Sequence, residues 1–293
     1  MKNDEQELDF YTKQGAITDP QEYYYFIEQQ PDNVEQICES ISSLVLNDFL
    51  YSIHCLQIPD LCSGDVNIRS IKEKLTEINQ RAQCNEFKKE NDSHSLGNCR
   101  DISLILCAIL RHKGIPARLR SGFATFFNPM KKFDHWICEY WNEEKCNWDR
   151  IDGWMYQIKK FRDKLPDEYA KGFSDLGLNP LWLDSKFFIT GAEAWKKCRN
   201  GEDEFKNYGT YQEGLEGEWF VRDNMIRDLF CMIKTEPLPW DCWGIMGKQN
   251  HSIDEIEYML LDNTASVLSS GNVPLETLHE LSRQLKGSEF PYN

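Results

Sequence analysis

Residues 97–122, GNCRDISLILCAILRHKGIPARLRSG, restrict the folds open to this chain more than any other stretch, because a polar loop there becomes a nearly all-apolar helix with a cysteine in its first turn. Asn98 is a good N-cap, and Asp101, three residues on, supplies the acidic arm of a capping box, so the helix starts at Cys99. Gly114 stops it, with Arg111, His112 and Lys113 in the last turn, where cations suit the helix dipole, and Pro116 just beyond. Between these limits Ile102, Leu104, Ile105, Leu106, Cys107, Ala108, Ile109 and Leu110 leave almost no polar face. A helix apolar all round is buried, and a run this short does not span a bilayer. The helix N-terminus favours the thiolate of Cys99, and Arg100 beside it adds to that pull.

At 293 residues, 41% of them hydrophobic, the chain can bury a sizeable core. Its start, MKNDEQELDF, has neither a basic nor an apolar run, and no stretch reaches membrane-spanning length, so the sequence predicts a cytoplasmic protein with no membrane partner. Eleven cysteines without one C-x-x-C pair argue against a disulfide framework and the usual zinc spacings, which leaves most thiols as small buried residues. A net charge of −15 repels phosphate backbones and removes nonspecific nucleic-acid binding from the functions to consider.

Upstream, Asp19-Pro20 opens a short helix that halts near Pro31. Residues 33–53 carry helical spacing in Val34, Ile37, Ile41, Leu44, Val45, Phe49 and Ile53, and Ile68, Ile71, Leu75 and Ile78 mark a third helix. Residues 84–96 are polar and aperiodic and read as an exposed loop leading to Cys99. Downstream, 117–127 is rich in strand formers, and 133–141 with 147–152 makes a hairpin around the polar 142–146. Segments 157–165, 191–199, 216–234, 252–270 and 274–285 are helical in pattern. A buried helix followed by a strand and a hairpin is the α+β class, a central helix packed on an antiparallel sheet. No repeat or low-complexity linker divides the chain, so it reads as a single domain, 1–293, with a helical N-terminal part (1–83), a core (84–153) and a mostly helical C-terminal part (154–293).

A nucleophilic cysteine needs a base within hydrogen-bond reach and a third group to hold that base. Of six histidines, His135 alone falls on a predicted strand next to the buried helix; His54 and His279 lie on amphipathic helices, His94 in the loop, His112 at a helix end and His251 at a helix start. Asp149 and Asp152 are the carboxylates to choose between, and they fall on opposite faces of one strand. The bland reading of either is a solvated strand end. Pairing His135 with Asp152 centres the hairpin between Glu143 and Glu144, whereas pairing it with Asp149 pulls Trp141 out of its strand, so Asp152 is favoured. The candidate catalytic set is Cys99, His135 and Asp152. Trp240 and Trp243 sit in a proline-bounded segment that serves packing first; together with Trp136 they are the candidates for a wall of the substrate cleft. No metal-ligand motif is present, and no cofactor is called for.

These features come in an order that resembles the core of the transglutaminase-like superfamily, the papain-related Cys-His-Asp enzymes: a cysteine on its helix, Gly114-Ile115-Pro116-Ala117-Arg118, His135-Trp136 with Glu139-Tyr140, and Trp148 four before Asp152. The resemblance covers 97–152. Asp9-Phe10-Tyr11, 15–20 and 237–244 resemble uncharacterised bacterial proteins that carry this core with helical extensions. The chain departs from the pattern in lacking the residue usual between the histidine and the tryptophan, and in having Gly153 where a proline often stands.

What the resemblance implies is a papain- or transglutaminase-like fold without a metal requirement. Cys99 attacks an amide or ester carbonyl, His135 moves the proton, Asp152 orients His135, and the thioester passes to an amine or to water. The backbone N–H of Cys99 is the oxyanion donor that can be named from sequence. The partner is then a peptide, protein or small-molecule amide substrate, and amidase, peptidase and acyltransferase remain open because fold does not settle substrate. The alternative is a non-enzymatic interaction module on the same scaffold, against which stands the complete set of Cys99, His135 and Asp152.

Overall fold

The protein is described here from a computed structural model, which covers residues 2–53, 62, 64–83, 95–128, 130–167, 177–271, 273–287 and 289–292. Contacts along the chain gather into two units. One, the cysteine unit, comprises Leu8–Leu119 and Ile137–Leu183; the other, the histidine unit, comprises Met1–Glu7, Arg120–Trp136 and Asp184–Asn293.

The first helix, α1 (Lys2–Thr12), enters the cysteine unit at Leu8 and is followed there by α2 (Tyr24–Glu28), α3 (Val34–Leu44), β1 (Val45–Asn47), α4 (Asp48–Ser52), α5 (Ile71–Ala82), β2 (Ser95–Gly97) and α6 (Cys99–His112). Helix α6 has the limits its sequence predicts. Asn98 Oδ1 accepts the Asp101 N–H at 3.1 Å and Asp101 Oδ2 accepts the Asn98 N–H at 3.2 Å, closing the capping box. At the other end Gly114 sits at φ 78, Ile115 N–H donates to Leu110 O at 2.9 Å and Gly114 N–H to Arg111 O at 3.1 Å, a Schellman stop. The helix is buried along almost its whole length and lies on the strand β4 (Lys132–Asn142), where Cys107 Sγ meets Cys138 Sγ at 3.3 Å.

The amphipathic run 33–53 is not one helix. Val45, Leu46 and Asn47 pair in parallel with Ser95, Leu96 and Gly97, and α4 restarts after Asn47, whose Oδ1 accepts the Phe49 N–H at 2.8 Å. The break arises because Gln157 Oε1 accepts the Asn47 N–H at 2.6 Å, drawing that amide out of any helix. The predicted loop 84–96 therefore ends in a buried strand, while 84–94 lies outside the described residues. Gly97 permits the approach of β1, since a Cβ there would fall 2.5 Å from Val45 Cγ1. So short a strand is anchored by buried charge: Asp65 accepts from Arg81 Nη2 at 2.9 Å, Ser95 Oγ at 2.8 Å and the Leu96 N–H at 3.1 Å, and Lys74 donates to Leu96 O at 3.0 Å.

After β3 (Ala117–Ala124), β4 pairs antiparallel with β5 (Asn147–Ile151), with Cys138 opposite Ile151 and Asn142 opposite Asn147. The turn thus centres between Glu144 and Lys145, not between Glu143 and Glu144. Asn142 Oδ1 accepts the Lys145 N–H at 3.1 Å and Cys146 adopts φ 50, a four-residue loop that the sequence does not announce with a glycine. Extended by one residue, this register sets Asp152 level with Ile137, not with His135. The strand has in any case ended, because Asp152 caps α7 (Gly153–Lys160), which starts earlier than the predicted 157. Gly153 is the first residue of that helix, and a Cβ there would lie 2.8 Å from Ile102 Cγ2 and 2.9 Å from Leu106 Cδ1 of α6. We expect Gly153→Ala to lower the stability by about 1–3 kcal/mol through overpacking, read as a lower urea midpoint with unchanged slope.

In the histidine unit, β6 (Phe188–Thr190), α8 (Gly191–Arg199), β7 (Tyr208–Gly209), α9 (Glu218–Met232), α10 (Glu255–Leu268) and α11 (Leu275–Lys286) follow in order. Gly122 of β3 lies opposite Thr190 of β6, and Lys132 of β4 pairs in parallel with Tyr208 of β7. The strand order is β5-β4-β3-β6, with β7 on β4. Helix α9 is buried from 220 to 232 although it carries Arg222, Asp223, Asn224, Arg227 and Asp228. Its polar groups hold the strands: Asp228 accepts from Arg120 Nε at 2.9 Å, from its Nη2 at 2.8 Å and from the Ser121 N–H at 2.9 Å. No described helix is long and apolar enough to cross a membrane.

Candidate active site

Cys99 is the first residue of α6, half-buried and not in a disulfide. First-turn N–H groups have no acceptor within their own helix, so the Cys99 amide is of the kind that can meet an oxyanion. Arg100 follows directly in sequence. Its guanidinium is buried and turned to Asp101 Oδ1 at 3.1 Å, Arg69 O at 2.8 Å and Ile68 O at 3.3 Å.

Asp152 is fully buried at the N-terminus of α7, where its Oδ1 accepts the Met155 N–H at 2.9 Å and its own N–H donates to Pro180 O at 2.7 Å. Because Gly153 abuts Ile102 and Leu106, the chain at Asp152 runs beside the first two turns of α6. The cysteine unit thus brings Cys99 and Asp152 onto two helices packed together. Asp149 is not a solvated strand end: it is 5% exposed and accepts from Asn142 Nδ2 at 2.7 Å and Lys145 Nζ at 2.8 Å.

His135 lies on β4 in the histidine unit, one residue before the chain crosses to the cysteine unit after Trp136. Its ring is buried, edge-on to Phe126 at 6.1 Å and to Phe127 at 6.0 Å. The preceding Asp134 accepts from Asn224 Nδ2 of α9 at 2.7 Å, which pins the strand at the histidine, and burial raises the Asp134 carboxyl above its ordinary range.

Two of the proposed cleft residues are displaced from that role. Trp136 is 0% and Trp243 1% exposed, so neither has surface to offer a substrate; Trp243 packs edge-on against Phe230 at 4.9 Å and Phe290 at 5.2 Å. Trp240 is half-exposed. The other residues of the sequence pattern explain one another. Glu139 accepts from Arg118 Nε at 2.9 Å and Arg150 Nε at 3.0 Å, and the Arg118 guanidinium lies 3.9 Å from the ring centre of Trp148. They form a buried scaffold for the hairpin rather than chemistry.

Asp48 was missed by the sequence reading. It opens α4, half-buried, with Oδ1 accepting the Phe49 N–H at 2.9 Å and Trp154 Nε1–H at 3.4 Å. Burial pushes its carboxyl up to about 6, with the charge of Asp101 adding to the shift. The signal was the Asn47-Asp48 pair, a helix-start pattern inside a run of helical spacing. Among the described residues no group of three or more His, Cys, Asp or Glu is placed to hold a metal ion. A surface hollow of about 450 Å³, bordered by Glu35, Tyr156, Lys159 and Pro180, includes none of the candidate residues.

Among solved structures the chain is similar to a proposed cysteine protease from Cytophaga hutchinsonii, at 17% identity and a TM-score of 0.31, over 50% of this chain and 41% of that one. The chain thus spans about two fifths of that protein's length. No curated protein matches. The model of the transglutaminase-like superfamily matches residues 70–156, from the cap of α5 into α7. Over that stretch, which carries Cys99, His135 and Asp152, the chain is similar to the transglutaminase-like superfamily.

Proposed function

We propose that the protein is a thiol-dependent acyl-group enzyme in which Cys99 attacks an amide or ester carbonyl and carries the acyl group as a thioester. The reading rests on one observation above the rest: within the matched stretch, a half-buried cysteine that is not in a disulfide opens a buried, doubly capped helix, packed on the helix that Asp152 caps. In this reading His135 takes the thiol proton and returns it to the leaving group, and Asp152 holds the imidazole in the required tautomer. The Cys99 N–H meets the oxygen on which charge develops. A bond forms from Sγ to the carbonyl carbon and the amine or alcohol leaves with the proton; water or an amine then releases the acyl group. The substrate is a peptide, protein or small-molecule amide.

The test uses p-nitrophenyl acetate, which needs no knowledge of the natural substrate. The expected result is a burst of nitrophenol and an acetyl group on the Cys99 peptide, both lost in Cys99→Ala. An acetyl group distributed equally over the exposed Cys146 and Cys242 would overturn the assignment. Acceleration of turnover by an added primary amine marks transfer; a rate set by water alone marks hydrolysis.

A further inference from the structure

We propose that Asp48 is a specificity residue of the Cys99 site, a carboxylate that receives a cationic group on the acyl-donating substrate. The proposal rests on the reading of Cys99 as nucleophile and says what that nucleophile is offered.

Placement comes first. Asn47 of β1 lies opposite Gly97 of β2 in a parallel pair, and such strands run about 4.8 Å apart. The next residues are Asp48 on one strand and Asn98 and Cys99 on the other, so Asp48 leaves its strand where the chain turns into the nucleophile helix. Gly97, with Val45 against it, keeps the two segments close. Both Asp48 and Cys99 are partly accessible.

The surroundings of the carboxyl then point to a cation. The bonds to Asp48 come to Oδ1, from Phe49 N–H and Trp154 Nε1–H, and among the described residues none is made to Oδ2. The rings of Phe49 and Trp154 stand beside it, 5.6 Å apart and inclined at 49°. A carboxylate oxygen with aromatic rings close by is chemistry that takes an alkylammonium. From α6 the charge beside Asp48 is Asp101, itself held by Arg100 at 3.1 Å and Lys74 at 3.6 Å; from α7 it is Trp154, which does not titrate. No cation is supplied to Asp48 from these elements. An ammonium gripped there keeps its proton and does not attack a thioester, so it belongs to the acyl donor and not to the accepting amine. The source is a small cationic metabolite or a basic side chain of a peptide.

The experiment modifies Cys99 with two methanethiosulfonates, one neutral (methyl) and one carrying a trimethylammonium group, with Cys146 as the internal reference. The Sγ thiolate attacks the sulfenyl sulfur of each reagent, taking its alkylthio group as a mixed disulfide and releasing methanesulfinate. Asp48 is neutral below about pH 6 and anionic above it. The cation-to-neutral rate ratio at Cys99, divided by that at Cys146, should therefore rise about tenfold between about pH 5 and 8. Asp48→Asn should abolish the rise and Asp48→Glu should retain it, which isolates Asp48 from every other group titrating in that window. Protection of Cys99 by choline marks the small-molecule source, and protection by a trilysine amide marks the peptide. A ratio that moves equally in wild type and Asp48→Asn overturns the proposal. Failure of the nucleophile reading shows elsewhere, as a neutral-reagent rate at Cys99 no greater than at Cys146. That same rate in Asp48→Asn reports whether the site is still folded.

Discussion

Asp152→Asn is expected to reduce kcat/KM for p-nitrophenyl acetate by about 10³–10⁴-fold, whereas Asp149→Asn leaves it nearly unchanged. The first substitution removes the charge proposed to hold the histidine tautomer. It also preserves the fold, because asparagine caps a helix as well as aspartate does, so the Met155 N–H keeps its acceptor. Asp152→Ala, by contrast, should add a stability loss of about 1 kcal/mol from the missing cap. Asp149 faces Asn142 and Lys145, and its neutralisation weakens one ion pair worth up to about 1 kcal/mol. Activities compared at matched folded fraction separate the two aspartates. Equal losses, or a larger loss in Asp149→Asn, would show that the carboxylate is assigned to the wrong residue.

Limited treatment with iodoacetamide near pH 6 should modify Cys99 well before the other described cysteines. Burial pushes Cys38 up to about 12, with the charges of Asp152, Glu35 and Glu39 adding to it. Cys198 is likewise pushed up to about 12 and Cys62 to about 11, and Cys138 and Cys242 are raised by burial as well. A thiol titrating near 12 is thiolate in on the order of one molecule in a million at pH 6, while thiolates at helix N-termini paired with histidine titrate at about 3.5 to 7.5. The net charge of −15 works against the thiolate but is screened beyond about 8 Å at physiological salt, and the reagent is neutral. His135→Ala should slow Cys99 about tenfold and leave the others as they were. Peptide mapping reads both outcomes. If Cys99 labels no faster than the exposed Cys146, and His135→Ala has no effect, the interaction-module reading takes the place of the enzyme.

The features legible in the sequence are those whose cause is local. Helix α6 announces itself because Asn98, Asp101 and Gly114 act within one turn of its ends, and the hairpin because two strand-forming runs flank a polar segment. The hairpin register was misread because the left-handed Cys146 carries no turn signature. Helical spacing carried α3 through to Ile53 because the partners that break it, Ser95 to Gly97 and Gln157, lie far along the chain. Asp152 was chosen on a register that the strands do not adopt, and its position comes instead from capping α7. The buried Asp228 of α9 makes sense only through Arg120 and Ser121, about a hundred residues earlier.

That separation bears on how the protein is made. The unit that contains Cys99 and Asp152 is built from residues that precede 184, whereas Asp228 and Asn224, which hold Arg120, Gly122 and Asp134, come after it. On the ribosome the thiol and its helix emerge first, and the strand bearing His135 lacks the anchor at Asp134 until α9 has been translated. A chain released early, or clipped after 183, therefore carries Cys99 on its helix without the Asn224 that holds Asp134, next to His135. In the proposed reading of Cys99 and His135, arming of the nucleophile is tied to completion of synthesis, and a truncated copy is disarmed by the order of its own residues.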